Sequence, residues 1–352
     1  MIVPACVATP GATALGEPAA AALQRVANRP IVCHVLDELR AAGVTEVALV
    51  VASSVSAELQ ESVNTDGPRD IDISYMSYDE ANTLEHALDS AARFVGESPC
   101  IVHVADGLLT EPLAPFAELL RENASDLVVL VREGAEDAES IGLGTRRLLR
   151  LAEDAPSGTI LGLAGVCLFG PGALARASGI RWWPDRDLDL VAVAEQLVAG
   201  GGRLHVGCVR EWRRYTGDPH DLLELNRQML DALGPDASRS LPSGASNRIE
   251  GRVSVHPTAV VQSSVIIGPA IIGAGALVLE SYIGPYTSIG ADVRIEGAEV
   301  ERSIILAGAS IMHVGGRLVA SVVGRDARIF KDFSLPRAMR LNVGDGGEVA
   351  LC

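Results

Sequence analysis

Hydrophobic residues along the first 230 positions fall into two alternating kinds of segment. Short apolar runs at 47–51 (VALVV), 100–104 (CIVHV) and 126–131 (DLVVLV) have the pattern of strands buried on both faces. Between and after them, apolar positions recur every three to four residues at 31–42, 80–95, 116–123 and 222–233, which predicts amphipathic helices. Gly43 stands where the first of these helices needs a left-handed residue to end. Residues 71–75 predict a further short strand, and the apolar start at 1–3 another. This alternation implies an α/β fold with a doubly wound, mostly parallel sheet. Ligands of such sheets sit beyond the carboxyl ends of the strands. That places the loop 4–30, the turn at Asp106 and the segment 76–87 around one crevice.

The pattern changes after residue 233. Residues 234–246 (GPDASRSLPSGAS) are rich in Pro, Gly and Ser and read as a linker. From 249 to 330, aliphatic residues recur at six-residue spacing: Val255, Val261 and Ile267, then Leu277, Ile283, Ile289 and Ile295. Ile-Gly steps follow at Ile267, Ile272, Ile283 and Ile289. A hexapeptide period predicts a left-handed parallel β-helix in which each short strand turns one aliphatic residue inward. A sandwich would show two-residue alternation instead. The expected organisation is an α/β domain over 1–233, a linker over 234–248, the β-helix over 249–330 and a tail over 331–352.

Composition narrows the function. A net charge of −16 with no block of basic residues argues against nucleic acid or an anionic membrane as partner. No apolar run is long enough to span a bilayer and no basic leader opens the chain, so a cytoplasmic location is expected. Cys6, Cys33, Cys100, Cys167, Cys208 and Cys352 are scattered without a C-x-x-C pair and read as inert thiols, not as a disulfide framework or zinc site. Lys331 is the single lysine against 28 arginines, so residues 1–330 offer no lysine for catalysis or phosphate binding.

Several motifs carry a family resemblance. They are Val26-Ala27-Asn28-Arg29-Pro30, AAGVTEV at 41–47, Ala105-Asp106-Gly107-Leu108-Leu109, YTGDPHDLLE at 215–224 and SYIGPYTSIG at 281–290. Together they resemble the long-form sugar-1-phosphate nucleotidylyltransferases, especially the glucose-1-phosphate thymidylyltransferase-like enzymes, over essentially the whole chain. The resemblance implies a nucleotide-diphospho-sugar transferase-like domain followed by a left-handed β-helix. It also implies attack of a sugar 1-phosphate on a nucleoside triphosphate, with release of pyrophosphate. Such chemistry needs backbone amides and cations around the phosphates and a divalent metal between carboxylates.

Matched position by position, this chain departs from the family pattern. The family's phosphate loop has the form L-A-G-G-x-G-T-R, with a catalytic lysine ten residues beyond its arginine. Aligned without gaps back from Asn28, that loop becomes residues 4–11. Cys6, Val7 and Thr9 then stand at glycine positions, Pro10 removes an N–H donor, Gly11 replaces the arginine and Ala21 the lysine. Asp154 falls at the second lysine and Tyr215 at the second metal aspartate. Tyr78 replaces the base-contacting glutamine, Thr83 a pocket glycine and Asp189 the sugar-contacting glutamate, while Asp106 is retained as the first metal carboxylate. The family pattern carries a side-chain charge of +1 in the pocket, whereas Asp106 and Asp154 give −2 here.

Thr9, Tyr78, Thr83, Asp106, Gly142 and Asp189 are accordingly the ligand-binding candidates, with Asp106 the one metal candidate. No catalytic residue is assigned, since Gly11, Ala21, Asp154 and Tyr215 are degenerate family positions. Set against these, Asp106 reads on its own as a turn cap, His86 and His103 as packed histidines, and Trp182-Trp183 as a stacking or surface element. His256 and His313 leave a β-helix acyltransferase open. The expected function is a catalytically impaired homologue serving as a regulatory or scaffold subunit in nucleotide-sugar or natural-product biosynthesis. A transferase with a pocket remodelled for an unusual nucleotide or sugar phosphate is the alternative, and a repurposed enzyme the second. A homo-oligomer is expected, with an active nucleotidylyltransferase or pathway enzyme as partner, and Mg²⁺ only if nucleotidyl transfer is retained.

Overall fold

The structure, a computed structural model, describes residues 5–8, 21–78, 91–133, 148–152, 160–177, 187–234 and 246–331. The chain divides into two compact units, one formed by Met1–Gln24 with Pro30–Thr216 and the other by Arg25–Arg29 with Gly217–Cys352.

The first unit is built on β1 (Ala5–Ala8), α1 (Ile31–Ala41), β2 (Glu46–Ala52), α2 (Ser56–Asp66), β3 (Asp72–Tyr78), β4 (Cys100–Val104) and β5 (Gly107–Leu109). It continues through α3 (Ala114–Glu122), β6 (Leu127–Glu133), β7 (Ile160–Phe169), α4 (Ala173–Ala177), α5 (Asp187–Ala199), β8 (Leu204–Val209) and β9 (Trp212–Arg214). Seven strands form one sheet in the order β8-β6-β7-β4-β1-β2-β3. Every neighbouring pair is parallel except those of β7, which runs antiparallel to both β4 and β6. β1, β2 and β3 advance to one side through α1 and α2, and β4 returns to the other side of β1. The topological switch point, where open α/β sheets bind ligands, therefore lies between β1 and β4.

Local sequence accounts for these elements. α1 buries Ile31, Val32, Cys33, Val35, Leu36 and Leu39 on one face and ends as the 43 position predicts. Gly43 adopts φ +85°, and the N–H of Val44 donates to the Leu39 carbonyl. In β2 all residues after Glu46 are buried, as a doubly covered central strand requires. β7 is ten residues long and carries Gly162 and Gly165, which weaken its strand pattern in the sequence. The expected helix over 80–95 is described only from residue 91, and the linker and tail fall mostly outside the described residues.

One placement corrects the sequence reading. The first strand is Ala5–Ala8, in register with Val47–Val50 and Ile101–Val104. Cys6 and Val7 are thus strand residues, not loop residues, because an apolar run between two buried strands gains more from pairing on both edges than from exposure. The strand runs to Ala8 and so takes in positions that the ungapped alignment counts as loop.

Burial also sets thiol chemistry. Burial alone pushes the Cys167 thiol on β7 from 9.0 up to about 12. The folded chain therefore keeps a proton that the unfolded chain loses near pH 9. Its contribution is fully present below about pH 9 and lost as pH rises towards 12, about 4 kcal/mol at most. Cys167→Ala should flatten the stability profile between these pH values. An unchanged slope in alkaline denaturant titrations would contradict the assignment.

The second unit is a parallel β-solenoid of three five-stranded sheets, consistent with a left-handed β-helix. Its core is stacked aliphatic triads: Ile266, Ile272 and Val278, then Ile283, Ile289 and Ile295, then Val300, Ile305 and Ile311, all 0–1% exposed. Within the first two of these turns the inward positions step by six, but Val278 to Ile283 is a step of five, as is Val300 to Ile305 in the third, and Val265, Tyr282 and Glu299 pair in register at 17-residue intervals. Ile267 and Leu277, expected inward, are consequently only half-buried on the outer face. A one-residue slip reverses every side chain that follows in a strand, and the two-residue corners at 263–264 and 280–281 introduce it.

α6 (Pro219–Asp231), capped by the Asp218 side chain, belongs to this unit and not, as the sequence reading has it, to the first. Asn226 of α6 is fully buried. Its side-chain oxygen accepts from the Ala27 N–H (2.8 Å) and the Ser288 hydroxyl (2.6 Å), and its amide donates to the Tyr286 carbonyl (3.1 Å). Asn28 adds a bond to the Ile289 carbonyl at 2.6 Å. The 25–29 hairpin, with Ala27 and Asn28 at positive φ, is thereby held on the solenoid. Among the described residues no helix is long and apolar enough to cross a membrane.

Candidate functional site

The site is assembled at the switch point. Ala8 pairs with Val104, so the end of β1 lies beside the end of β4 that leads into the turn at Asp106. Beyond β4 the chain turns at Ala105-Asp106 into β5, which pairs antiparallel with β9: Gly107 faces Arg214 and Leu109 faces Trp212. The N–H of Tyr215 donates to the Asp106 carbonyl at 2.7 Å and extends that ladder by one rung. Gly107 is required here, because a Cβ would approach the Arg213 carbonyl to 2.5 Å and the Trp212 ring to 2.8 Å. Gly165 meets the same indole edge, where a Cβ would lie 2.7 Å from the ring.

This register carries the Arg214 side chain to Asp106. The guanidinium Nε donates to Asp106 Oδ2 in an ion pair whose carboxylate is 2% exposed and whose arginine is 37% exposed. Asp106 is thus a buried charge with a cationic partner, more than the turn cap its sequence context suggests. Tyr215 is buried at 5% exposure and brings no carboxylate to the site. Beneath them His103 is fully buried, edge-on to Trp212 with ring centroids 5.7 Å apart. Its Nδ1 lies 2.8 Å from the Val104 carbonyl, and its Nε2 faces Glu38 Oε2 on α1 at 3.7 Å without a hydrogen bond. The expectation of a fully satisfied core histidine holds for only one ring nitrogen.

The other candidates scatter. Ala21 is a buried methyl in a 3₁₀ turn at 21–23. Tyr78 ends edge strand β3, and Asp189 lies in the first turn of α5. Thr9, Gly11, Thr83, His86, Gly142, Asp154 and Trp182-Trp183 fall outside the described residues. In the solenoid, His256 is exposed and folded onto its own turn, with Nδ1 accepting from the Thr258 N–H at 3.2 Å, and His313 is exposed beside Glu296. Both serve local geometry. Arg214, Trp212 and Glu38 were not singled out from the sequence. The available signal for Arg214 was its place one residue before Tyr215, the position matched to the family's second metal aspartate.

The residues do not fit the divalent metal that the family pattern implies. Mg²⁺ is held by carboxylates together with substrate phosphates in near-octahedral geometry. Here Asp106 already holds a guanidinium, Tyr215 contributes no carboxylate, and no group of three His, Cys, Asp or Glu residues comes together among the described residues. A divalent ion about 4 Å from the guanidinium would meet about 8 kcal/mol of repulsion at an effective dielectric of ~20.

A mostly parallel sheet with this switch-point turn, joined to a parallel β-solenoid, defines a nucleotidyltransferase-like protein. The comparisons agree. The chain is 30% identical over 333 residues to a glucose-1-phosphate thymidylyltransferase of Streptomyces griseus, covering 91% of this chain and 90% of the relative. It is 29% identical over 335 residues to the enzyme of the same name from Streptomyces antibioticus, covering 94% and 93%. A low-salt glycan biosynthesis nucleotidyltransferase, Agl11 of Haloferax volcanii, is 26% identical over 336 residues, covering 93% and 92%. A solved structure from Bacillus anthracis, described as a candidate glucose-1-phosphate thymidylyltransferase in complex with sucrose, shares the fold with TM-score 0.52 and 14% identity. It covers 64% of this chain and 94% of its own. No family model matches the chain. The chain belongs to the sugar-1-phosphate nucleotidylyltransferase family that includes these thymidylyltransferases.

Proposed function

We propose that this chain is a family member that has given up nucleotidyl transfer and acts as a regulatory or scaffold subunit in nucleotide-sugar or natural-product biosynthesis. The observation that carries this reading is the Asp106–Arg214 ion pair beside a buried Tyr215, at the place where the family pattern sets two metal-binding aspartates. The sequence adds weight: the first basic residue of the chain is Arg25, so no register of the 9–24 segment supplies the family's loop arginine or catalytic lysine. Lost transition-state contacts of this kind each remove ~10²–10³-fold in rate, and they are not additive. The chain acts as a cytoplasmic homo-oligomer that pairs with an intact nucleotidylyltransferase of the same cell. Mixing the two and following mass by light scattering and the intact enzyme's kinetics tests this role. A stable mixed complex with altered kcat or KM is expected. An intact enzyme whose mass and kinetics ignore an excess of this chain would remove the regulatory reading.

A further inference from the structure

The inward columns of the solenoid change at its carboxyl end. Ile266, Ile283 and Val300 are 0% exposed, yet Leu318, next in their column, is only partly buried. Val278, Ile295 and Ile311 are likewise 0% exposed, yet Ile329 above them is only partly buried. Both belong to the last described coil, whose strands Arg317–Val319, Val322–Val323 and Arg328–Phe330 each stand at the edge of their sheet. The coil thus presents a triangular apolar end with three strand edges, a surface that repeat folds close with a capping element.

The sequence beyond Lys331 carries a pattern that fits this end. Ile329, Leu335 and Leu341 keep six-residue spacing, and the next position in the count is Gly347. Leu335 follows Leu318 by 17 residues and Leu341 follows Val323 by 18. Paired inward residues below are separated in the same way: by 17 from Ile266 to Ile283 and by 18 from Ile305 to Val323. Pro336 would then take the third strand position, over Val319. In this sheet that position sends its N–H onward, as Gly284 does to the Val300 carbonyl at 2.7 Å. The bond back to the coil below comes from the following residue, as Ala320 donates to the Glu301 carbonyl at 3.2 Å. A proline at 336 therefore loses no bond to the coil below and blocks a further strand above. The corner serines extend the pattern. The N–H of Ser281 donates to Ser264 Oγ and that of Ser321 to Ser303 Oγ, both at 3.1 Å. Ser321 Oγ donates to the Val319 carbonyl at 2.9 Å, as Ser303 Oγ does to Glu301 at 2.7 Å, so it offers the acceptor for the next rung.

We propose that residues 334–342 of this chain dock on the open end and add two further sides to the solenoid, Leu335 over Leu318 and Leu341 over Val323. The third side, over Ile329, stays open, because Gly346 and Gly347 bring no side chain to it. The occupant is the chain's own segment, since the six-residue count runs on from Ile329 and the segment starts at the edge it covers.

The test is amide hydrogen exchange of the full chain, resolved to single residues by fragmentation. The N–H groups of Val319, Val322 and Gly324 occupy the positions of Gly284, Ile304 and Leu306, which donate to the next coil, and so point at the two proposed sides. Arg328 occupies the position of Ser310 and points at the third, open side. In the wild type the first three should exchange ~10²-fold or more slowly than Arg328. Leu335→Asp/Leu341→Asp should erase that difference while Gly284 and Gly290, in the inner coils, keep their protection and so report an intact solenoid. Leu351→Asp, which makes the same change beyond the two glycines, should leave it in place. Equal exchange of all four amides in the wild type, or protection that survives the double variant, would overturn the proposal. Protection that falls on dilution of the wild type would overturn it in favour of a second copy seated on the end.

Discussion

Arg214→Ala should destabilise the first unit by about 3 kcal/mol, read as a lower urea midpoint with an unchanged slope. Breaking a buried ion pair typically costs 3–5 kcal/mol, because the surviving charge is left in a poor dielectric. Asp106 is that charge, at 2% exposure. The figure lies at the lower end because Arg214 is 37% exposed, so water reaches the pair from one side. Removing both charges as Asp106→Asn/Arg214→Gln should recover most of the loss. If Arg214→Ala cost less than about 1 kcal/mol, Asp106 would have to be compensated by something other than this arginine.

Asn226→Leu should cost about 3–5 kcal/mol in the second unit. The side chain is 0% exposed and satisfies three groups from two segments: the Ala27 N–H, and the Ser288 hydroxyl and Tyr286 carbonyl of the solenoid. Leucine has a similar volume but leaves all three without this partner, and each buried orphan is worth about 1–3 kcal/mol. Asn226→Asp keeps the acceptor, but it buries an unpaired carboxylate and turns an oxygen towards the Tyr286 carbonyl, so it too should be clearly less stable than the wild type at neutral pH. Chemical unfolding followed by a probe on the solenoid would separate them. Equal stability of all three chains would show that the hairpin and α6 are held by packing alone.

The fold was legible because its signals are periodic. VALVV and CIVHV have the continuous apolar pattern of doubly covered strands, and the six-residue recurrence after residue 249 fits stacked coils better than a sandwich. The failures came where period meets geometry. Six-residue counting through Ile267 and Leu277 overran a corner of two residues, and the true inward positions are Ile266 and Val278. At the amino end, an ungapped count from Asn28 put Cys6 and Val7 in a loop, whereas pairing with β2 and β4 makes them strand residues. The retained carboxylate at Asp106 was readable from its motif. Its partner was not, because Arg214 meets it only through the antiparallel register of β5 and β9, a relation across 108 positions. Identical reasoning explains why Asn226 carried no signal: a polar residue in an amphipathic helix reads as surface until the solenoid face it meets is known.

The most direct measurement is pyrophosphate release from a mixture of nucleoside triphosphates and sugar 1-phosphates in the presence of Mg²⁺, with Asp106→Asn as control. With an arginine in the cation's place and no basic residue before Arg25, the wild type should release no more pyrophosphate than the control. Release by the wild type well above the Asp106→Asn rate, dependent on one particular triphosphate and one particular sugar phosphate, would contradict the account and establish a working transferase with a rebuilt pocket.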